Sequence, residues 1–552
     1  MAASPAETRV YLFHLPAELY QKIVSYLKKD SVKHLRVTCW TLNKITPFII
    51  DRVFISANSL NIQVFRAIAD SKTFRHNVTE IIWDDARLSN GPEDAVEEDR
   101  FWTIRNASTV VTDNGCPVWF KARRQDTDAP EFRGWRDPSS YNNLSVEASW
   151  DYYKSLLEDQ RQILLSGADI EAFKHGLRRF PNLKRVTVTP STHGKLGQPM
   201  YQTPMIRAFP PRFDYPLPKQ WPNGAEEEAR DALPWIQKKS GGLVFETFYG
   251  QVYQTTQREY RARVYECTPE EYRARWRGFR VVLRTLVENS HEHNVTELTF
   301  GGAEIVTGMN CRLFDQPCRE YADLVTVLKR PGFRRLALDL FTGMNEYHNW
   351  KSFRSGLMHK ALSKAKDLRH ITLHSTTYTI NGETFNTPGV DGLPNYWPVP
   401  LQSVFPINCW PKLEHFGISN IQVTPEDLLS FLAALPYSCR SVELSNLAWA
   451  NEDGGWAKED GGYHFLLNEM LTRLDWCSRP VGERPRLKIL VTLVSEIIED
   501  GLYVDMGNLA NAFLYDDGEN PFLGPGFFSG GGVGKSFFDP EVSFFSERNC
   551  RV

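Results

Sequence analysis

The feature that most constrains this chain is a six-residue pattern with apolar residues at its first, fourth and sixth places. It surfaces in the segment His-Asn-Val-Thr-Glu, which occurs at His76 and again at His293. Val78, Ile81 and Trp83 make one copy, and Leu183, Val186 and Val188 the next. Val295, Leu298 and Phe300 follow, then Phe333, Leu336 and Leu338, then Leu368, Ile371 and Leu373. Leu413, Phe416 and Ile418, and Cys439, Val442 and Leu444, continue the series; Leu487, Leu490 and Thr492 make a weaker last copy. Alternation at the end of each unit puts one face of a short strand inward. Apolar residues at helical spacing precede most copies, at 169–180, 279–290, 352–365, 425–435 and 463–474. Thr424 ahead of Pro425 reads as an N-cap with proline at the first helical position.

Helix–turn–strand units joined in one direction stack with their strands parallel. The expected fold class is therefore α/β, an irregular solenoid whose units are similar to the L-x-x-L-x-L core of a leucine-rich repeat. The spacing of copies is uneven, and long insertions fill the gaps at about 84–150, 190–275 and 375–411. Such stretches are either functional or disordered. The expected organisation is a helical module at 10–57, the solenoid at 58–515, and a Gly/Phe-rich tail at 516–552.

The helical module opens with Leu15 and Pro16, and Leu19, Ile23 and Leu27 then recur every four residues along one stripe. A second apolar stretch carries Leu35 and Val37 and runs on to Phe54. About forty residues is near the lower limit for a core of its own. This segment resembles an F-box, and its order ahead of irregular leucine-rich units is similar to the large F-box proteins of filamentous fungi. The resemblance implies a substrate-recognition subunit of a Skp–cullin–F-box ubiquitin ligase. A Skp-type adaptor, and through it a cullin, would dock on Leu15, Pro16, Leu19, Ile23, Leu27, Leu35 and Val37. The inner faces of the helices would meet the repeats. The solenoid would hold a target protein and do no chemistry itself. The alternative is an interaction scaffold outside any ligase, in which the helices only cap the repeats.

Candidate target contacts are the strand side chains between the inward ones: Glu297, Thr299, Asp339, His370, Thr372, His374, His415, Ser419, Glu443 and Ser445. Several are acidic, which favours a basic target.

Other chemistries find little support. A net charge of −3 with no basic half argues against nucleic acid. The run 259–280 interleaves arginine with aromatics, but its balanced charges read as a solvated helix with i, i+4 pairs. The Ser529–Ser536 stretch lacks the first glycine of a phosphate-binding loop and has Pro540 close behind it, so no nucleotide is expected. His291 and His293 lack the spacing of a zinc protease, and the nine cysteines lack zinc-site spacing, so no metal or other cofactor is expected. No apolar run is long enough for a bilayer. Unpaired cysteines and the absence of a secretion signal lead us to expect a cytoplasmic or nuclear protein.

Overall fold

The computed structural model describes residues 15–27, 29–89, 115–117, 119–120, 144–194, 199–218, 221–222, 232–236, 243–248, 262–302, 307–343, 349–376, 398–450, 462–492, 502–522 and 543–546. The architecture is mixed α/β around one large parallel sheet. Nine strands lie in a single row: β1 (Arg52–Ile55), β2 (Glu80–Asp84), β3 (Arg185–Thr189), β4 (Glu297–Phe300), β5 (Arg335–Phe341), β6 (His370–Ser375), β7 (His415–Ser419), β8 (Ser441–Ser445) and β9 (Arg486–Lys488). Each pairs in parallel with the next in chain order. A tenth, two-residue strand at Met309–Asn310 pairs with β5.

The register keeps the repeating unit in step. Val53, Ile81, Val186, Leu298, Leu336, Ile371, Phe416, Val442 and Leu487 fall in one row across the sheet. Each is at most 1% exposed. These residues and their neighbours two places on form the wall of a single continuous core. Helices close its other side: α4 (Ser59–Asp70), α6 (Ala168–Arg179), α7 (Arg277–Glu288), α8 (Arg319–Leu328), α9 (Leu357–Leu362), α10 (Pro425–Ala433), α11 (Gly462–Arg473) and α12 (Gly507–Tyr515). They too form a row, most of them touching the next in this order, with the short helix Leu401–Val404 bridging α9 and α10. Ion pairs tie neighbours together, Arg277 to the fully buried Asp169 at 2.6 Å and Arg280 to Glu320 at 2.9 Å.

The helices fall where the apolar spacing predicts them, with one break. Residues 352–365 form two short helices split at Gly356, whose φ of +77° is left-handed backbone. Thr424 does cap α10, accepting the Asp427 N–H at 3.1 Å.

Three expectations need correction. Arg52–Ile55 lies in the stretch assigned to the helical module, yet it is a strand, and Ile50, Val53 and Ile55 repeat the first, fourth and sixth apolar places. The last copy is framed differently. Leu487 pairs with Val442 and so holds the fourth place, Ile489 holds the sixth, and Leu490–Thr492 joins a separate antiparallel sheet with Leu502–Asp505 and Ser543–Ser546. Leucines three apart at 487 and 490 match the pattern in the wrong frame. The Arg-rich run is not one solvated helix: from 262 it is a strand (Ala262–Cys267) paired antiparallel with Leu243–Phe248, a short helix (Pro269–Ala274) and the start of α7, where Arg277 and Arg280 bond carboxylates on other elements.

The described parts of the first two insertions pack as structure. With α5 (Val146–Ser166) they build an aromatic satellite core of Trp119, Phe120, Tyr153 and Tyr215, joined by Trp150, Tyr152, Phe209 and Phe213. Trp221 Nε1 donates to the buried Asp85 carboxylate at 2.8 Å, which also accepts the Gly278 N–H at 2.8 Å. Ser529–Ser536 and all of 377–397 lie outside the described residues. Among the described residues no helix is long and apolar enough to cross a membrane.

Gly278 marks the tightest of these contacts. A Cβ there would come 2.6 Å from Trp83 Cδ1 and 2.7 Å from the Asp85 carboxyl carbon. Gly278→Ala should destabilise the protein by about 1–3 kcal/mol, read as a lower denaturation midpoint in urea; an unchanged midpoint would refute the packing described.

Candidate functional site

Alternate residues of a strand point to opposite faces. With the second and fourth residues of each strand committed to the core, the first, third and fifth must line the other face of the sheet. The register arranges them in three rows. The first row is Arg52, Glu80, Arg185, Glu297, Arg335, His370, His415, Ser441 and Arg486. The third-place row runs Thr187, Thr299, Ala337, Thr372, Gly417 and Glu443 from β3 to β8. Asp339, His374, Ser419 and Ser445 make the fifth-place row from β5 to β8.

The first row is a charge ladder. Glu80 bonds Arg52 at 2.8 Å and accepts the Thr187 hydroxyl at 2.6 Å. Glu297 is 7% exposed and holds Arg185 at 2.6 Å on one oxygen and Arg334 at 2.7 Å on the other. Burial alone would raise the Glu297 carboxyl, but the two arginines outweigh it and leave it below the usual range. Arg335, next along, has no ion pair among the described residues, and its Nε is buried without an acceptor. Burial first, and then the nearby Arg185, depress its pKa, against the opposing pull of the Glu297 and Glu80 carboxylates.

Beyond Arg335 the His370 and His415 rings stack, centroids 4.1 Å apart and planes 11° from parallel. Ser441 Oγ lies 2.9 Å from His415 Nδ1, and the Nε2 atoms of both rings are buried without a partner. Burial is the main reason that His370 is pushed down to about 2 and His415 to about 4; each lies near the positive charge of Arg335, and His370 also feels His415. The stack is therefore neutral near pH 7.

The remaining sequence candidates lie on the same face. Asp339 is buried and accepts the Gly302 N–H at 2.7 Å. His374 Nε2 lies 3.3 Å from Asn420 Nδ2. Glu443 sits 3.4 Å from Lys488 and takes the Ser445 hydroxyl at 3.4 Å. Thr299, Thr372 and Ser419 are half-buried. So all ten candidates share one face. Two of the acids among them, Glu297 and Glu443, are already matched by basic groups, which removes much of the reason to expect a basic target.

At the β1–β2 end the face is covered: Tyr201 lies 5.7 Å from the Phe54 ring and under the Arg52 guanidinium. From β4 to β7 the third-place row is half-buried or small. Arg52, Glu80, Arg185, Arg334 and Arg335 were missed by the sequence reading. Their signal was present: written in column, the third place of each six-residue unit alternates Glu80, Arg185, Glu297, Arg335.

No protein-family model matches the chain, and no curated protein matches it.

The second candidate surface is N-terminal. Helices α1 (Ala17–Ser25), α2 (Lys29–Thr38) and α3 (Trp40–Ile45) gather a small core of Tyr20, Val24 and Leu42, separate from the main one. Leu15 and Leu35 pack against that core, with Val32. The inner faces thus meet each other rather than the repeats. Pro16 stands at the N-cap of α1 and is exposed. Leu19 is 52% and Val37 77% exposed, and Ile23, Leu27, Trp40, Ile45 and Ile49 are exposed as well. Eight of the twelve exposed large apolar side chains among the described residues lie between 19 and 49, so the patch is concentrated there.

The stacked histidines predict acid sensitivity. A histidine whose folded pKa is depressed adds stability that is present above its unfolded value near 6.5 and is lost as pH falls towards the folded value. Each contributes at most about 2 kcal/mol between pH 6.5 and 5. The double variant His370→Phe/His415→Phe should show a flatter decline of melting temperature over that range. Parallel curves for variant and wild type would contradict the assignment.

Proposed function

We propose that this chain is a non-catalytic substrate receptor with two binding ends. The N-terminal helices dock on a Skp-type adaptor of a Skp–cullin–F-box ubiquitin ligase. The stacked sheet, read as an irregular leucine-rich-repeat-like solenoid, holds a target protein in the cytoplasm or nucleus. The observation that carries this reading is the exposed apolar surface of α1–α3. A module whose core is three buried side chains leaves Leu19, Ile23, Leu27 and Val37 exposed. Each would contribute about 1.5–3 kcal/mol on transfer into a partner, before the cost of association.

The solenoid reading is supported by strand order that follows chain order, in-register units, and a matching row of helices. In the ligase reading the mechanism is proximity: holding a target beside a loaded conjugating enzyme raises the effective concentration of its lysines. A scaffold whose helices merely cap the repeats would bury the Leu19–Ile23 stripe on the sheet, whereas that stripe faces water.

Co-purification of the full chain with a Skp-type adaptor tests the reading. The wild type should retain the adaptor, and Leu19→Asp/Ile23→Asp should lose it while keeping the same melting temperature. Absence of adaptor on a well-folded wild-type chain would end the ligase reading.

A further inference from the structure

Where β1, β2 and β3 end, four segments meet around a small cavity. Ser56 comes from the turn between β1 and α4, Asp84 from the last place of β2, Gln160 from α5, and His193 from the loop after β3. The cavity gives the centre of a water-sized sphere about 10 Å³ of room. That is space for one water molecule or one ion of the same size. Leu88 and Leu156 belong both to its lining and to the aromatic satellite core, so it lies where that core meets the end of the sheet.

Asp84 is the wall residue that lacks a counter-charge. It is 2% exposed. Its Oδ1 accepts the Ala86 N–H at 3.1 Å, and its Oδ2 is buried with no hydrogen-bond partner. The Thr192 hydroxyl lies close enough to favour the ionised form but does not bond Oδ2. The charges around it do not compensate it. Asp85 adds a second carboxylate beside it. The guanidinium groups of Arg87 and Arg277 act on Asp85, which also accepts the Trp221 Nε1–H and the Gly278 N–H. On α5, Asp159 bonds the wall residue Asn58 at 3.0 Å and is negative as well. His193 is neutral: burial pushes it down to about 3, and its Nδ1 lies 2.8 Å from the Tyr215 hydroxyl. The Tyr215 phenol feels Asp84 and is uncharged too. Burial above all raises the Asp84 carboxyl to about 7. A carboxylate taken so far out of water needs a proton or a cation.

We propose that this cavity binds a single monovalent cation of potassium's size, held by Asp84. Ser56 Oγ accepts one bond, from Asn61 Nδ2 at 2.7 Å, and Gln160 Oε1 accepts one, from the Leu88 N–H at 2.8 Å. Each therefore keeps a lone pair for the ion. Hard cations take such oxygen ligands. One carboxylate matches one positive charge. A divalent or transition metal calls for more anionic or imidazole ligands, and among the described residues no three His, Cys, Asp or Glu side chains are grouped to hold one. A potassium ion is about as large as a water molecule and fills the space, whereas a sodium ion is smaller and reaches fewer of the oxygens. The ion fastens α5 and the loop after β3 to the end of the sheet. The site is independent of the ligase reading.

The test melts the purified full chain at pH 8 in the chlorides of potassium, sodium and N-methylglucamine at equal ionic strength, so that screening is common to all three. Potassium should raise the melting temperature over N-methylglucamine by about 1–2 °C, with a dependence on concentration that follows mass action. Sodium should raise it less. At pH 5 the difference between salts should vanish, because a proton then neutralises Asp84 in place of the ion; this comparison needs no variant. Asp84→Asn keeps the shape, removes the charge and should abolish the difference at pH 8. Ala86→Val adds methyl groups to the cavity wall and should abolish it without touching a charge. Equal melting temperatures in the three salts at pH 8 would mean a buried water only and would overturn the proposal. A full potassium effect in Asp84→Asn, or one that persists unchanged at pH 5, would overturn it as well. A sodium effect equal to that of potassium would overturn the choice of ion.

Discussion

Everything in this molecule depends on parallel strands stacked in register and in chain order. Once Val53, Ile81, Val186 and their successors fall in one row, the next apolar residue two places on must join the same wall. The helices have only one face of the sheet to cover. The odd-numbered places of every strand are left on the opposite face, whatever their chemistry. The polar face is thus a by-product of the core: nothing about Glu297 or His370 sets where it stands, because Leu298 and Ile371 beside them do. A one-residue slip of any strand would bury its charges and expose its leucines, so the register is held as strongly as the core is apolar.

That dependence explains what could be read in the sequence. The apolar pattern spoke for the sheet, its direction and most helices, because burial acts on each unit alone. It failed at the two ends. Arg52–Ile55 carries the same pattern, but Phe54 lies between its inward residues and hides the alternation. At the other end Leu487 and Leu490 fit the spacing, while the strand register makes Ile489 the inward residue. The partly helical stripe at the N-terminus was legible as Leu19 and Ile23. The residues that hold α1 to its neighbours, Tyr20 and Val24, lie on the other side of the helix, and a stripe of leucines draws the eye away from them. The aromatic satellite core was not legible, since it assembles Trp119, Tyr153 and Tyr215 from segments with no shared period.

The ten sheet candidates came out on one face because they were chosen by their place in the repeat. Their electrostatic character did not follow. Charge at a site is a property of the column, and the partners of Glu297 come from units more than thirty residues away on either side. Read one unit at a time the face looks acidic; read across the strands, Glu297 and Glu443 are matched by basic groups.

Gly417 shows how the core and the polar face constrain each other. It stands third in β7, in the same row of the polar face as Thr372 and Glu443. A Cβ there would come 2.9 Å from Thr372 Cγ2 and 3.2 Å from His415 Nε2. The His415 ring leans over this gap and so lies flat against His370, the two sharing one slot beside Arg335. A side chain at 417 would have to push aside the Thr372 methyl and shift the His415 ring by a few tenths of an ångström, so the packing of the histidine pair and the size of the residue beside it are set together.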